Sequence, residues 1–192
     1  MVRILNQDSF IFGVVYMNFR AMNMFLSEDN IKRHLAHFRN YKLKMSILEK
    51  SIPELQGRTM SEIARMPLDR AAKEEALKLL FPIKAHECFF SSFSEAPVKS
   101  ETVLKDYPSM ERFAYELYLE AMANGCGFLF VYLDRGAPKT LFMDRYDRAF
   151  LKIEPLLALD LFEHTYFLDY GFEKERFVKA AIMYLNTARL DT

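Results

Sequence analysis

Apolar positions along this chain recur first at helical spacing and later in continuous strand-like runs. Ile31, Leu35, Phe38, Met45 and Leu48 make one apolar stripe of a long helix. Ser27 can cap that helix, and Glu28 and Asp29 sit favourably in its first turn. Ile52-Pro53 and Gln56-Gly57 punctuate its end. Thr59 and Glu62 have the spacing of a capping box, so a short helix is expected from Thr59 to Met66. Pro67 and Asp69 then open a second long segment through Ala71, Ala76, Leu79 and Leu80 towards His86 and Phe90. Pro82 lies inside it and predicts a kink or break just before His86, because proline lacks the backbone donor and clashes with the preceding turn.

Ser94 to Asp106 reads as a polar connection, and Ser109 to Asn124 as an amphipathic helix stopped by Gly125. Phe128 to Leu133 and Thr140 to Met143 are apolar runs around Asp134-Arg135-Gly136, the pattern of an antiparallel pair. Leu151 to Leu161 is a third apolar run, broken by Pro155, and Phe172 to Arg189 closes the chain as a helix. The fold class is therefore α+β: an N-terminal long helical hairpin, then a small three-stranded antiparallel sheet flanked by helices. The expected division is an N-terminal extension over 1–26, a helical hairpin domain over 27–98 and an α+β domain over 99–192.

Composition narrows the function. The 26 basic and 26 acidic residues cancel, with no long basic run, which disfavours a non-specific nucleic-acid binder. Phe10 to Met17 is too short to span a bilayer and follows only Arg3 and Asp8, so neither a membrane span nor a signal peptide is expected. Cys88 and Cys126 are too few for a disulfide framework or a cysteine-rich zinc site, and read as small buried side chains in a reducing cytosol. A cytoplasmic location is the expectation. There is no Trp, against 18 Phe, and the 4 His limit any imidazole site to His34, His37, His86 and His164.

The strongest local constellation is Asp160-Leu-Phe-Glu-His164, a carboxylate and an imidazole four residues apart. It can ligate one metal from a single turn, and two further His from the long helices would complete a set suited to redox-active Fe or Mn. Asp-x-x-x-His is a common spacing, and by itself it favours a satisfied structural pair over a ligand pair.

The surrounding words add to this. Pro155 to Tyr170, with Asp160-Leu-Phe-Glu-His164-Thr-Tyr-Phe, closely resembles the signature D-x-W-E-H-A-Y-Y of iron/manganese superoxide dismutases. Ser27 to Lys42 resembles the family's first ligand helix, Ala85-His86-Glu-Cys-Phe-Phe90 its second (N-H-x-F-[FY]-W), and Gly125-Cys-Gly127-Phe128 its G-S-G-W segment. The resemblance implies His34, His86, Asp160 and His164 as ligands of one Fe or Mn per subunit. Phe90, Phe128, Phe130 and Phe162 stand where the family commonly has Trp, which accounts for the missing indoles, and Phe90, Phe128 and Phe162 are the expected aromatic surround of the metal. It further implies a homodimer with reciprocal Glu163–His164 contacts, and Phe38 and Phe167 in place of a polar pair across the interface.

The chain also departs from the pattern. Pro82 occupies one position of the Gln that tunes metal-bound solvent, and Asp144 to Asp147, the other region, holds no Gln. Lys42 stands at the gateway Tyr position, with Tyr41 adjacent as a replacement. His37 either flanks the entrance or is a surface His, and Arg39 and Lys42 either steer an anion or are a solvated helix face. The resemblance implies a superoxide dismutase, converting superoxide to dioxygen and hydrogen peroxide. The alternatives are a divergent metal-binding or structural relative with little activity, and a metal-free helical interaction module. Met1 to Phe25 matches the family poorly.

Overall fold

Capping chemistry sets the ends of the helices. The computed structural model describes residues 19–192, so most of the expected 1–26 extension, including Phe10 to Met17, lies outside the described residues. After a short α1 (Phe19–Met22), α2 spans Glu28–Ser51, and the Ser27 hydroxyl accepts from the Asn30 backbone N–H. Helix α3 (Met60–Arg65) has both halves of its capping box in place, Thr59 with Glu62. Helix α4 (Arg70–Ser91) starts where Asp69 accepts from Ala71 and Ala72 N–H.

Pro82 does not break α4, contrary to the sequence expectation. The missing proline N–H costs one helical bond, but burial of Phe81, Ile83, Ala85 and His86 on both sides of it holds the segment helical. The polar connection after α4 is also partly helical. Ser100 caps α5 (Glu101–Asp106), and its hydroxyl meets Asp191 at 2.7 Å, tying the connection to the C-terminus.

Helix α6 (Met110–Ala123) leads into strands β1 (Phe128–Asp134), β2 (Ala137–Met143) and β3 (Leu157–Asp160), in sheet order β2-β1-β3, all antiparallel. Arg135 and Gly136, both at positive φ, make the two-residue turn between β1 and β2. Gly127 is required by close approach. A Cβ there would lie 2.5 Å from Phe142 Cζ and 2.7 Å from the Met143 carbonyl oxygen. Central β1 puts Phe128 opposite Asp160, so the sheet's register delivers the carboxylate to the end of the hairpin.

Within the expected closing helix over Phe172 to Arg189, the α-helix ends at Met183 and a short 3-10 helix follows at Thr187–Leu190, while a further helix precedes it. Helix α7 (Glu163–Tyr170) comes first, Gly171 at positive φ ends it, and α8 (Lys174–Met183) follows. Helices α2 and α4 pack on each other, α4 on β3, and α7 on α2, which brings four separate elements to one place. Phe89, Phe90, Phe128 and Phe130 fill the core around it. No helix among the described residues is long and apolar enough to cross a membrane.

Candidate metal centre

His34 from α2, His86 from α4, Asp160 from the end of β3 and His164 from the first turn of α7 converge, with one donor atom from each within 4.8 Å of the others. Asp160 Oδ2 lies 3.1 Å from His34 Nε2, 3.4 Å from His164 Nε2 and 3.7 Å from His86 Nε2. His34, His86 and Asp160 are buried, while the His164 side chain keeps 30% of its exposure.

Neighbouring groups aim these atoms. The Phe162 backbone N–H donates to Asp160 Oδ1 at 3.0 Å, which leaves Oδ2 turned to the imidazoles. His86 Nδ1 meets the Pro82 carbonyl at 2.6 Å; a carbonyl only accepts, so Nδ1 carries the proton and Nε2 presents a lone pair. Nε2 of His34, Nε2 of His86 and Oδ2 of Asp160 are buried without a hydrogen-bond partner among the described residues. Three unpartnered polar atoms in one dry spot are costly unless something binds them. A nitrogen-rich set with one carboxylate fits a borderline transition-metal ion.

The electrostatics keep His34, His86 and Asp160 in the forms that ligation requires. Burial pulls the His34 imidazole below its ordinary value and the His86 imidazole down to about 4, against the pull of Asp160. Burial alone would raise the Asp160 carboxyl, but the imidazoles of His164 and His34 outweigh it and hold the group well below the usual carboxylate range.

Aromatic rings surround the cluster. Phe90 lies 5.0 Å from the His34 ring, Phe128 5.2 Å from His86, and Phe162 5.7 Å from His164, centroid to centroid. Phe130 sits one layer back, against Phe128 and Phe150. Phe89, which the sequence reading did not single out, packs 5.1 Å from His34.

A cavity of about 410 Å³ reaches His86 and His164, walled by His37, Tyr41, Phe81, Pro82, Phe128 and Phe162. Tyr41 is half-buried, with its ring 5.0 Å from His37 and 5.9 Å from His86. Burial, and then the Asp160 charge, raise its hydroxyl above the ordinary tyrosine value. His37 is not a free surface group; its ring lies 4.4 Å from that of His164. The cations on the cavity wall are Lys78 and Arg145 rather than Arg39 and Lys42, and Asp144 accompanies them. Lys42 instead sits 5.4 Å over the Phe38 ring. Tyr146 also lines the cavity, with its hydroxyl buried and unpartnered among the described residues. The resemblance pointed to the stretch holding Arg145 and Tyr146 only for its lack of Gln, and the sequence carried no signal for Lys78, which comes from a segment far away in the chain.

The remaining expected residues separate. Glu163 and Phe167 are exposed on α7, with Phe167 47% exposed and against Phe172. Phe38 is buried inside the chain, 5.5 Å from the Phe90 ring, because the apolar stripe of α2 turns it inward. Cys88 is buried and its thiol pushed up to about 12 by desolvation. Cys126 is exposed, contrary to expectation, since it sits in the loop ahead of β1.

Comparison with known proteins gives two likenesses. The model of the family described as "Iron/manganese superoxide dismutases, C-terminal domain" matches residues 96–191. A "Superoxide dismutase [Fe]" from Bacteroides fragilis strain YCH46 is 26% identical over 163 residues, covering 78% of this chain and 81% of that protein.

Proposed function

Because this chain belongs to the iron/manganese superoxide dismutase family, we propose that it disproportionates superoxide to dioxygen and hydrogen peroxide at a mononuclear iron or manganese site, one ion per chain. The observation that carries this reading is the convergence of His34, His86, Asp160 and His164 with their buried donor atoms unpartnered. These four residues would hold the ion, three through neutral imidazole nitrogen and one through Asp160 Oδ2. The bound ion supplies the one-electron chemistry that oxidises one superoxide and reduces a second.

The chain's own residues supply the rest. Lys78 and Arg145 outnumber Asp144 on the cavity wall and favour entry of an anion. Phe90, Phe128 and Phe162 limit water around the donor set and keep the local dielectric low. Tyr41 keeps its proton on Oη at neutral pH, so it enters the cavity as a hydrogen-bond donor beside His37 and His86.

The reading carries with it a homodimer and a cytoplasmic location. Support for the dimer is the exposure of Glu163 next to His164, together with the apolar Phe167 and Phe172 on the same surface. Support for the location is the pair of free cysteines. Sedimentation of the full chain tests the dimer, and Glu163→Ala is expected to weaken it.

One observation favours a second reading, a metal-binding relative with little dismutase activity. Pro82 lines the cavity where a solvent-tuning amide would stand, and it has neither an N–H nor a side-chain donor. Metal analysis and superoxide consumption separate the readings. About one Fe or Mn per chain, and consumption that collapses in His164→Ala, supports the dismutase. Metal with equal rates in both proteins supports the second reading, and absence of metal sinks both.

A further inference from the structure

Behind the donor set, outside the cavity lining, lies a second group of buried polar atoms. Asn30 is 1% exposed and Thr165 fully buried. Asn30 Oδ1, Thr165 Oγ1 and His34 Nδ1 have no hydrogen-bond partner among the described residues. Native interiors leave few such atoms, so three along one helix–helix contact need a common explanation.

Their placement follows from the contacts on either side. Asn30 and His34 are one turn apart on α2, and Thr165 and Asp169 one turn apart on α7. Asp169 Oδ2 accepts from Asn30 Nδ2 at 2.9 Å and from the Ser27 N–H at 2.8 Å. At the other end, the His164 ring, next to Thr165, lies 5.0 Å from the His34 ring. Helix α7 therefore runs antiparallel along α2, and Thr165 falls level with the turn between Asn30 and His34.

The chemistry of the three atoms is complementary. A carboxylate only accepts, so Asp169 fixes which end of the Asn30 amide faces it, and Oδ1 must point away as an acceptor. If His34 offers Nε2 to a metal, its proton sits on Nδ1 and needs an acceptor. His86 finds one in its own helix backbone, at Pro82, whereas His34 has no such backbone partner. Thr165 supplies a hydroxyl that can give and accept.

We propose that the exposed Asp169 and the buried Asn30 and Thr165 form a polar buttress that positions His34: Asn30 Oδ1 accepts the Nδ1–H of His34 through one buried water that Thr165 Oγ1 also binds. The family signature has Ala where Thr165 stands, so the hydroxyl is a feature of this chain. Asn30 and Thr165 are positioning residues, acting on the metal only through His34. The inference rests on the reading of His34 as a ligand, and the test separates the two.

The test uses the full-length, metal-free protein labelled with 15N, in which long-range 1H–15N correlation reads the tautomer of each histidine. His34 is expected as the Nδ1–H form. Thr165→Val, which keeps the shape without the hydroxyl, and Asn30→Leu are expected to shift His34 towards a mixed or Nε2–H form while His86 is unchanged. Thr165→Ser is expected to retain the wild-type tautomer. Mn(II) titration of the same proteins should show affinity about 10–100-fold weaker in Thr165→Val and near wild type in Thr165→Ser. Should Asn30→Leu fail to fold, the Thr165 pair still decides. An Nε2–H His34 in the wild type, or a Thr165→Val protein with wild-type tautomer and affinity within twofold, overturns the proposal. A wild type that binds no Mn(II) or Fe(II) but shows the expected tautomers overturns the ligand reading and leaves the buttress standing.

Discussion

The Pro82 carbonyl receives the Nδ1–H of His86 at 2.6 Å, so the residue that interrupts the hydrogen bonding of α4 also orients a donor of the candidate site. The interaction needs only the backbone carbonyl, which every residue has. The proline ring itself therefore contributes the loss of one helical bond and a non-polar stretch of cavity wall.

Replacing Pro82 separates those two effects. Pro82→Ala restores the N–H to α4, keeps the carbonyl for His86, and is expected to raise stability by up to about 3 kcal/mol. Pro82→Gln is expected to do the same and to place an amide in the cavity, raising superoxide consumption above that of Pro82→Ala. Denaturant melts and stopped-flow or radiolytic superoxide assays check the two arms; equal consumption by both variants would mean the amide does not reach the site.

Stability of the metal-free protein should fall in mildly acidic solution. The folded His86 titrates at about 4, below its ordinary 6.5, so between those values the unfolded chain holds the proton and the folded one does not. Stability is thus fully present above about pH 6.5 and lost as pH falls towards 4, by a few kcal/mol. Urea unfolding across this range checks the slope. His86→Phe, which cannot take up the proton, should reduce the slope without abolishing it, since burial also pulls down the His34 and His37 imidazoles.

Gly127→Ala tests the close approach at the head of the sheet. The added Cβ meets the Met143 carbonyl oxygen, a backbone atom, as well as the Phe142 ring. A loss of about 1–3 kcal/mol is expected. Trimming the ring in Gly127→Ala/Phe142→Ala should not restore it, because the carbonyl contact remains. The Leu161 N–H bonds to the Gly127 carbonyl at 2.8 Å, next to Asp160, so weaker metal retention should accompany the loss. Thermal melts and metal analysis report both.

Tyr146→Phe removes a buried hydroxyl that has no partner among the described residues. Its loss should stabilise the metal-free protein by about 1 kcal/mol, the opposite sign to most core truncations. A destabilised variant in thermal melts would mean that the hydroxyl is bonded in solution.

Local chemistry made much of the fold legible. Ser27, Thr59 and Asp69 act as the caps their positions imply, and the runs beginning at Phe128 and Thr140 pair around Arg135-Gly136. Among the boundaries that failed, Pro82 and the connection after α4 did so for different reasons. Pro82 signals a break, but tertiary burial on both sides outweighs one lost bond. The polar composition of Ser94 to Asp106 hid α5, whose cap at Ser100 is reinforced by Asp191 from the far end of the chain.

The sequence by itself determined which side chains were available to a metal, because four His and a recognisable order of words narrow the donors to a few positions. It also determined the apolar face of each helix, since that depends only on spacing. Tertiary structure alone decided which faces meet. Packing of α7 on α2 turns His37 towards His164, aligns Thr165 with Asn30 and His34, and leaves Phe167 outside while Phe38 goes in. It also gathers Lys78, Arg145 and Tyr146 from distant segments onto one cavity wall. Periodicity is a property of neighbours along the chain, whereas a site is made by neighbours across it.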